Sequence, residues 1–350
     1  MNDRTLRDRQ KKVREGMSRA GADCLIVTKP ANVTYITGFL GEDSWAMVLP
    51  GTVILITDSR YSEQAAMECK NCRIVIRKNS MIKTVVKLLR KPKGNIALEK
   101  SASIADLESL KKELKRRVKA IANIIEAVRQ IKDDGEIAVI KAAAKIAGQA
   151  LKKMIRRIRA GMSENELAGM LDFEIRKLGG HNGFETIVAF GPSAARPHHR
   201  PTDRKLRKND TILIDFGVRY KGYTCDITRC FARGKPNQLY NRIYSAVCEA
   251  QAAAVKMVKA GAKIKDVDLA ARSVLEKYKL PVYGHGTGHG IGLEIHEVPS
   301  ISPQTEGVLQ AGEVITIEPG VYLPGKFAVR IEDDILVTNH GVVILDKIPK

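Results

Sequence analysis

Apolar residues along the chain fall into two periods, and the alternation between those periods sketches its organisation. Over residues 1–126 helix-like and strand-like spacing alternate: a polar helix over 4–20, strands over 24–28, 53–56 and 73–76, a helix over 82–90, a strand over 96–98, a basic helix around 111–119 and a strand over 120–125. This predicts a small α/β domain. Lys132-Asp133-Asp134-Gly135 reads as a turn, and a long helix over 136–159 that Gly161 stops opens a second domain spanning 127–350. That domain reads helix 163–178, strand 186–190, a hairpin, helices 238–260 and 264–278, a glycine-rich segment and another hairpin. Each half carries helices followed by a hairpin with two acids, so the second domain is expected to be α+β with an internal two-fold.

At 350 residues, 44% apolar and 28% charged, the chain has enough apolar surface for two cores. Its first residues are charged and no 18-residue apolar run follows, so neither a signal peptide nor a membrane span is expected, and a cytoplasmic enzyme is the simplest reading. Six cysteines at irregular positions fit reduced thiols, and Cys69 and Cys72, one CxxC without a second pair, read as ordinary thiols. The net charge of +20 is spread, +11 up to Glu126 and +9 beyond it. The densest cluster, residues 111–119, puts Leu110, Leu114 and Val118 on one face and reads as a solvated helix face, which leaves nucleic acid at most a weak partner.

The acids carry the chemistry. Asp215 lies in a β-branched, apolar stretch, Asp226 lies in another, and Tyr220-Lys221-Gly222 separates them. A turn at Tyr220-Lys221 places the two aspartates directly opposite each other on one face. Like charges so placed destabilise a hairpin unless a cation lies between them. The stretches ending in Glu318 and Glu332 flank Pro324-Gly325-Lys326 in the same way, and a register centred on Gly325 makes the two glutamates face each other. Arg330 shares the face of Glu332 by period-two alternation, where it can orient and partly neutralise a carboxylate. Four inward carboxylates from two hairpins form an oxygen-rich metal cage.

Three of the seven histidines, His285, His289 and His296, fall within twelve residues among alternating glycines. The glycines argue against a helix, so His285 and His289 are not a helical zinc pair, and the run does not match a dinucleotide-binding fingerprint. Pro197-His198-His199-Arg200-Pro201, ahead of the first hairpin, reads by itself as a solvated loop.

With Ile214-Asp215-Phe-Gly, Asp226-Ile-Thr-Arg229, the run from Gly286 to Pro299, Glu318-Pro-Gly-Val-Tyr322 and Val329-Arg330-Ile-Glu332-Asp333-Asp334 in order and spacing, the chain resembles the Xaa-Pro aminopeptidases and prolidases. These are proline-specific metallopeptidases of pita-bread fold with a creatinase-like N-terminal domain. The resemblance implies that Asp215 binds a first metal, that His289 and Glu318 belong to a second, and that Asp226 and Glu332 bridge the two. Mn²⁺ is the expected ion, with Co²⁺ or Zn²⁺ as alternatives, and a bridging hydroxide is the implied nucleophile. It further implies that Glu318 shuttles protons, His198 contacts the leaving amide, His296 polarises the carbonyl and His285 helps form the proline pocket. The resemblance also implies that Tyr322 and Arg330 support them, and that the assembly is a homodimer acting on proline-containing peptides.

Two departures stand out. Pro197-His198-His199 replaces the family's Pro-His-Gly, and Phe190 stands where a small residue is common, which predicts a bulkier and more basic pocket mouth. Ser300 stands where some dipeptide-specific relatives place an arginine that holds the substrate's free carboxylate, which favours aminopeptidase over dipeptidase, although Arg196 or Arg200 could substitute. The competing readings are a pita-bread protein that has lost catalysis and binds a partner or RNA, and a methionine aminopeptidase, the latter weakened by the N-terminal domain.

Overall fold

A computed structural model of the chain describes residues 3–90, 94–346 and 348–350. It divides into two compact units, Met1–Arg129 and Gln130–Lys350.

The first unit is a six-stranded mixed sheet flanked by helices. In spatial order its strands are Arg73–Ile76, Val53–Thr57, Trp45–Val48, Cys24–Val27, Ile96–Glu99 and Val118–Ile121. Cys24–Val27, Val53–Thr57 and Ile96–Glu99 are buried on both faces, as strands covered by helices must be. Three short elements escape the periodicity of the sequence: the helix Pro30–Thr37, which starts on a proline and ends on left-handed Gly38 at φ 80°, the strand Trp45–Val48 and the helix Ser62–Glu68. The strand expected over 120–125 is instead Val118–Ile121, followed by a helix Ile124–Gln130. Asn123, at φ 60°, turns the chain out of the sheet between them, a conformation that asparagine tolerates better than branched residues.

The second unit has the pita-bread architecture. Helices Asp134–Ile155 and Glu164–Lys177 pack on a four-stranded sheet built around the hairpin Thr211–Tyr220/Tyr223–Ala232, and Gln238–Met257 and Ile264–Lys277 pack over a five-stranded sheet. The long helix begins at a capping box formed by Asp133 and Glu136, and it ends at Ile155, short of the expected 159. Its inner face includes Ala143, Ala144, Ala147 and Ala150, small side chains that let this stretch of the helix sit close against the hairpin beneath it. Among the described residues no helix is long and apolar enough to cross a membrane.

Candidate metal centre

The first hairpin turns at Lys221-Gly222, both at positive φ (47° and 87°), the conformation of a two-residue I′ turn. Tyr220 therefore pairs with Tyr223, Asp226 faces Gly217 and Asp215 faces Thr228. The expected direct opposition of Asp215 and Asp226 is thus wrong by two positions, because the left-handed pair is Lys-Gly rather than Tyr-Lys. A two-residue slip keeps every side chain on its face. The aspartates are diagonal neighbours, with more room between them than a directly opposed pair leaves.

The second hairpin keeps the register centred on Gly325 but is split into two ladders. Val314–Ile317 pairs with Asp333–Val337, and Gly320–Leu323 pairs with Phe327–Arg330. Glu318 and Glu332 fall at the break beside Pro319, which has no N–H to give. Their own amides turn elsewhere: Glu318 donates to the Thr287 carbonyl (2.7 Å) and Glu332 to the Thr228 carbonyl (3.2 Å). The break thus ties this hairpin to the first hairpin and to the glycine-rich segment.

That segment forms the strand Gly288–Gly290. A Cβ on Gly288 would lie 1.9 Å from the Thr316 carbonyl oxygen, and one on Gly290 would lie 2.2 Å from that of Val298. Only glycine lets the backbone this close, which presses His289 against the carboxylates. His289 Nδ1 donates to the Gly290 carbonyl (3.0 Å), leaving Nε2 as an acceptor 3.5 Å from Glu318 Oε1 and 3.7 Å from Asp226 Oδ2. Burial, helped by neighbouring His296, pushes His289 down to about 4, so its ring is neutral at physiological pH.

Donor atoms of Asp226, His289 and Glu332 all lie within 4.8 Å of one another. Asp215 joins through Arg330: the guanidinium bonds Asp215 Oδ2, the Thr228 hydroxyl (3.1 Å) and the Tyr322 hydroxyl (2.8 Å), while Thr228 donates to Glu332 Oε2 (2.6 Å). One buried oxygen each on Asp215, Asp226 and Glu332 has no hydrogen-bond partner. Burial first, then the neighbouring carboxylates, hold Asp226 and Glu332 well above the usual carboxylate range, and burial pushes Glu318 up to about 7. Buried anionic oxygens without partners cost several kcal/mol. Divalent cations would satisfy all of them, and four carboxylates with one neutral imidazole suit hard or borderline ions.

The substrate-side histidines separate. His296 is exposed, with its ring edge-on to His289 at 4.4 Å between centroids. His285 donates from Nδ1 to the Gly286 carbonyl (2.7 Å) and accepts from the Tyr322 hydroxyl at Nε2 (2.9 Å), stacked on Tyr283 at 4.8 Å. Burial pushes His285 down to about 4, so it presents an uncharged ring, and exposed His198 lies close enough to lower it further. The expected basic, bulky pocket mouth does not form. His199 is buried on Glu164 (2.8 Å), which also accepts from Phe190 N (2.9 Å) and Thr202 N (3.0 Å), and Phe190 is fully buried in the core of the first half. Glu164 closes the loop that carries His198, a role its place in a helix first turn does not advertise.

Other supports were equally silent in sequence. Asp268 and Arg272, four apart on one helix, form an ion pair (2.6 Å), and Asp268 is buried and accepts from the Thr287 hydroxyl (2.7 Å). Arg272 meanwhile donates to the carbonyls of Tyr283 (2.9 Å) and His285 (2.7 Å), fixing the glycine-rich loop. Lys132 and Glu297 form a buried pair (3.2 Å) whose carboxylate also accepts from Glu294 N (3.1 Å), closing the turn that presents His296. Lys132→Ala is expected to cost about 3–5 kcal/mol of stability, read as a lowered denaturant midpoint, because it removes the ammonium that faces the buried Glu297 carboxylate.

Comparison with known proteins agrees with this geometry. The model of metallopeptidase family M24 matches residues 138–339, and that of the creatinase/prolidase N-terminal domain matches residues 9–131. The chain belongs to metallopeptidase family M24. An Xaa-Pro dipeptidase of Pyrococcus horikoshii is 35% identical to this M24 chain, covering 98% of it and 97% of the relative. Among solved structures, an Xaa-Pro dipeptidase from Bacillus anthracis superposes with a TM-score of 0.95 at 34% identity, covering 99% of this chain and 98% of that one. An X-Pro aminopeptidase from Thermotoga maritima superposes with a TM-score of 0.89 at 36% identity, covering 95% and 97%. The two domain matches and these relatives together make the protein a metallopeptidase of prolidase type, with divalent metal ions implied. Among the described residues the cluster of Asp226, His289 and Glu332 is the one grouped closely enough to hold such an ion, whereas Cys69 and Cys72 are free thiols.

Proposed function

We propose that this M24 metallopeptidase hydrolyses the bond between an N-terminal residue and a following proline, and that it accepts peptides longer than two residues. The observation that carries the metal chemistry is the set of partnerless buried oxygens on Asp215, Asp226 and Glu332 around a neutral His289 Nε2. Asp215, Asp226, His289, Glu318 and Glu332 would hold two divalent ions, Mn²⁺ first among the candidates. Bound ions supply a water acidified to near-neutral pKa as the nucleophile.

The remaining roles fall to side chains of the chain. Glu318, the ligand carboxylate most open to solvent, is placed to hold a proton and hand it to the leaving nitrogen. His296, beside His289, faces the carbonyl oxygen, and His198 faces the leaving amide. The uncharged His285 ring, with Tyr283 and Tyr322, offers an aromatic wall to proline. Specificity for longer peptides rests on Ser300, which brings no positive charge to a dipeptide's free carboxylate. The names of the Pyrococcus and Bacillus relatives favour the narrower reading, a dipeptidase.

Purified protein loaded with Mn²⁺ is expected to release alanine from both Ala-Pro and Ala-Pro-Ala. Release from the dipeptide alone would establish the narrower reading. No release from either, with metal demonstrably bound, would leave a catalytically silent binding protein instead.

A further inference from the structure

The two hairpins that carry the carboxylates come from different halves of the second unit, and they meet along the outer edge of the strand Tyr223–Ala232. Beside the Thr228 and Arg330 contacts on the metal side, the join is made by side chains on the opposite face. Arg229, 3% exposed, donates through its guanidinium to the Glu332 and Thr228 carbonyls, to Asp333 Oδ1 (2.7 Å) and to Asp346 Oδ1 (2.8 Å). It also donates to the carbonyls of Ile348 (2.8 Å) and Pro349 (3.1 Å). Asp334, fully buried, accepts at both oxygens from Asp226 N (3.1 and 3.3 Å). Asp346 links these two anchors, because its Oδ2 accepts from Asp334 N (3.3 Å) while its Oδ1 holds Arg229.

We propose that Asp346 and Arg229 are positioning residues for the metal centre, a clamp that fixes the backbones of Asp226 and Glu332 from behind. The proposal rests on the metal reading of the site. Arg229 holds Glu332 directly through its carbonyl, and Asp346 holds Asp226 through Asp334. The clamp touches neither the donor atoms nor substrate, so it acts only on the separation of two ligands that no continuous ladder connects. A guanidinium suits the task because its planar fork reaches acceptors from three chain segments at once, which a lysine ammonium cannot do in one geometry. Asp346 lies outside every motif that marks the site in sequence.

The test is calorimetric titration of the metal-stripped protein with Mn²⁺, beside melting of the metal-free forms. Asp346→Asn keeps an acceptor for Arg229 but loses the one for Asp334 N, and it is expected to weaken Mn²⁺ affinity about 10–100-fold, as loss of a group that orients metal ligands does. Arg229→Lys keeps the cation beside Asp333 and is expected to show the same loss in protein that still melts cooperatively. Lys350→Ala removes a charge from the same pocket, where Lys350 pairs with Asp333 (3.1 Å), without touching Arg229, and should leave affinity within about twofold. Wild-type affinity in both clamp variants, with only their melting lowered, would make the cluster purely structural and overturn the proposal. A gain in Lys350→Ala as large as the loss in Asp346→Asn would reduce the effect to charge and overturn it equally. Failure of the wild-type protein to bind Mn²⁺ would instead strike the metal reading itself.

Discussion

Glu332→Gln is expected to lower Mn²⁺-dependent peptidase turnover by about 10³-fold or more while raising the melting temperature of the metal-free protein. The two effects have opposite signs because one carboxylate does opposite things in the two states. With metal, Glu332 is a donor whose charge the ions need, and its loss removes charge stabilisation worth several kcal/mol in the reaction. Without metal, Glu332 is a buried carboxyl with one partnerless oxygen, and burial, then Glu318 and Asp215, hold it well above the usual carboxylate range, so its ionisation costs stability. An amide can still accept from Thr228, and it offers N–H donors to the facing carboxylates, which should return on the order of 1–3 kcal/mol. Activity assays with Mn²⁺ and calorimetry in chelator check the two halves. A metal-free variant that melts below wild type would show that the carboxylates are not in mutual conflict.

The metal-free protein is also expected to lose stability as pH rises from 6.5 to 8.5, and added Mn²⁺ to restore more stability at the upper end than at the lower. The folded-state carboxyls of Asp226 and Glu332 lie well above the usual range and that of Glu318 at about 7, so the folded chain keeps protons that the unfolded chain has released. Their stability is full below the ordinary carboxylate range and is lost as pH rises towards the folded values, at about 1.4 kcal/mol per pH unit for each retained proton. His285 and His289, both near 4, work the other way only up to the ordinary histidine value, and above 6.5 they are neutral in both states. Bound Mn²⁺ displaces fewer protons at high pH, so its increment grows. Melting curves in chelator and in excess Mn²⁺ at three pH values decide the matter; a chelator curve flat or rising with pH contradicts it.

Much of the site can be read in one dimension because β-structure has period two. Asp226 and Thr228 share a face of one continuous strand, and an error of two in register leaves the face unchanged. That is why the metal cage survives a misplaced turn at Tyr220-Lys221. Features that depend on which element packs against which are another matter. His199 and Phe190, read as parts of the pocket mouth because they depart from the family's pattern, both turn into the interior because Glu164 gathers the loop around itself.

The sequence by itself determined that four carboxylates of two hairpins face inward near a glycine-rich run of three histidines, because alternation and close backbone approach are local constraints written in adjacent residues. Only the tertiary structure decided how far apart those groups stand and what holds them there. The break at Pro319, the loop anchors Asp268 and Arg272, and the link from Asp346 through Arg229 to Glu332 all join positions distant in the chain. A buried polar group finds its partner by packing in space, and neither the spacing nor the type of residue records which partner that is.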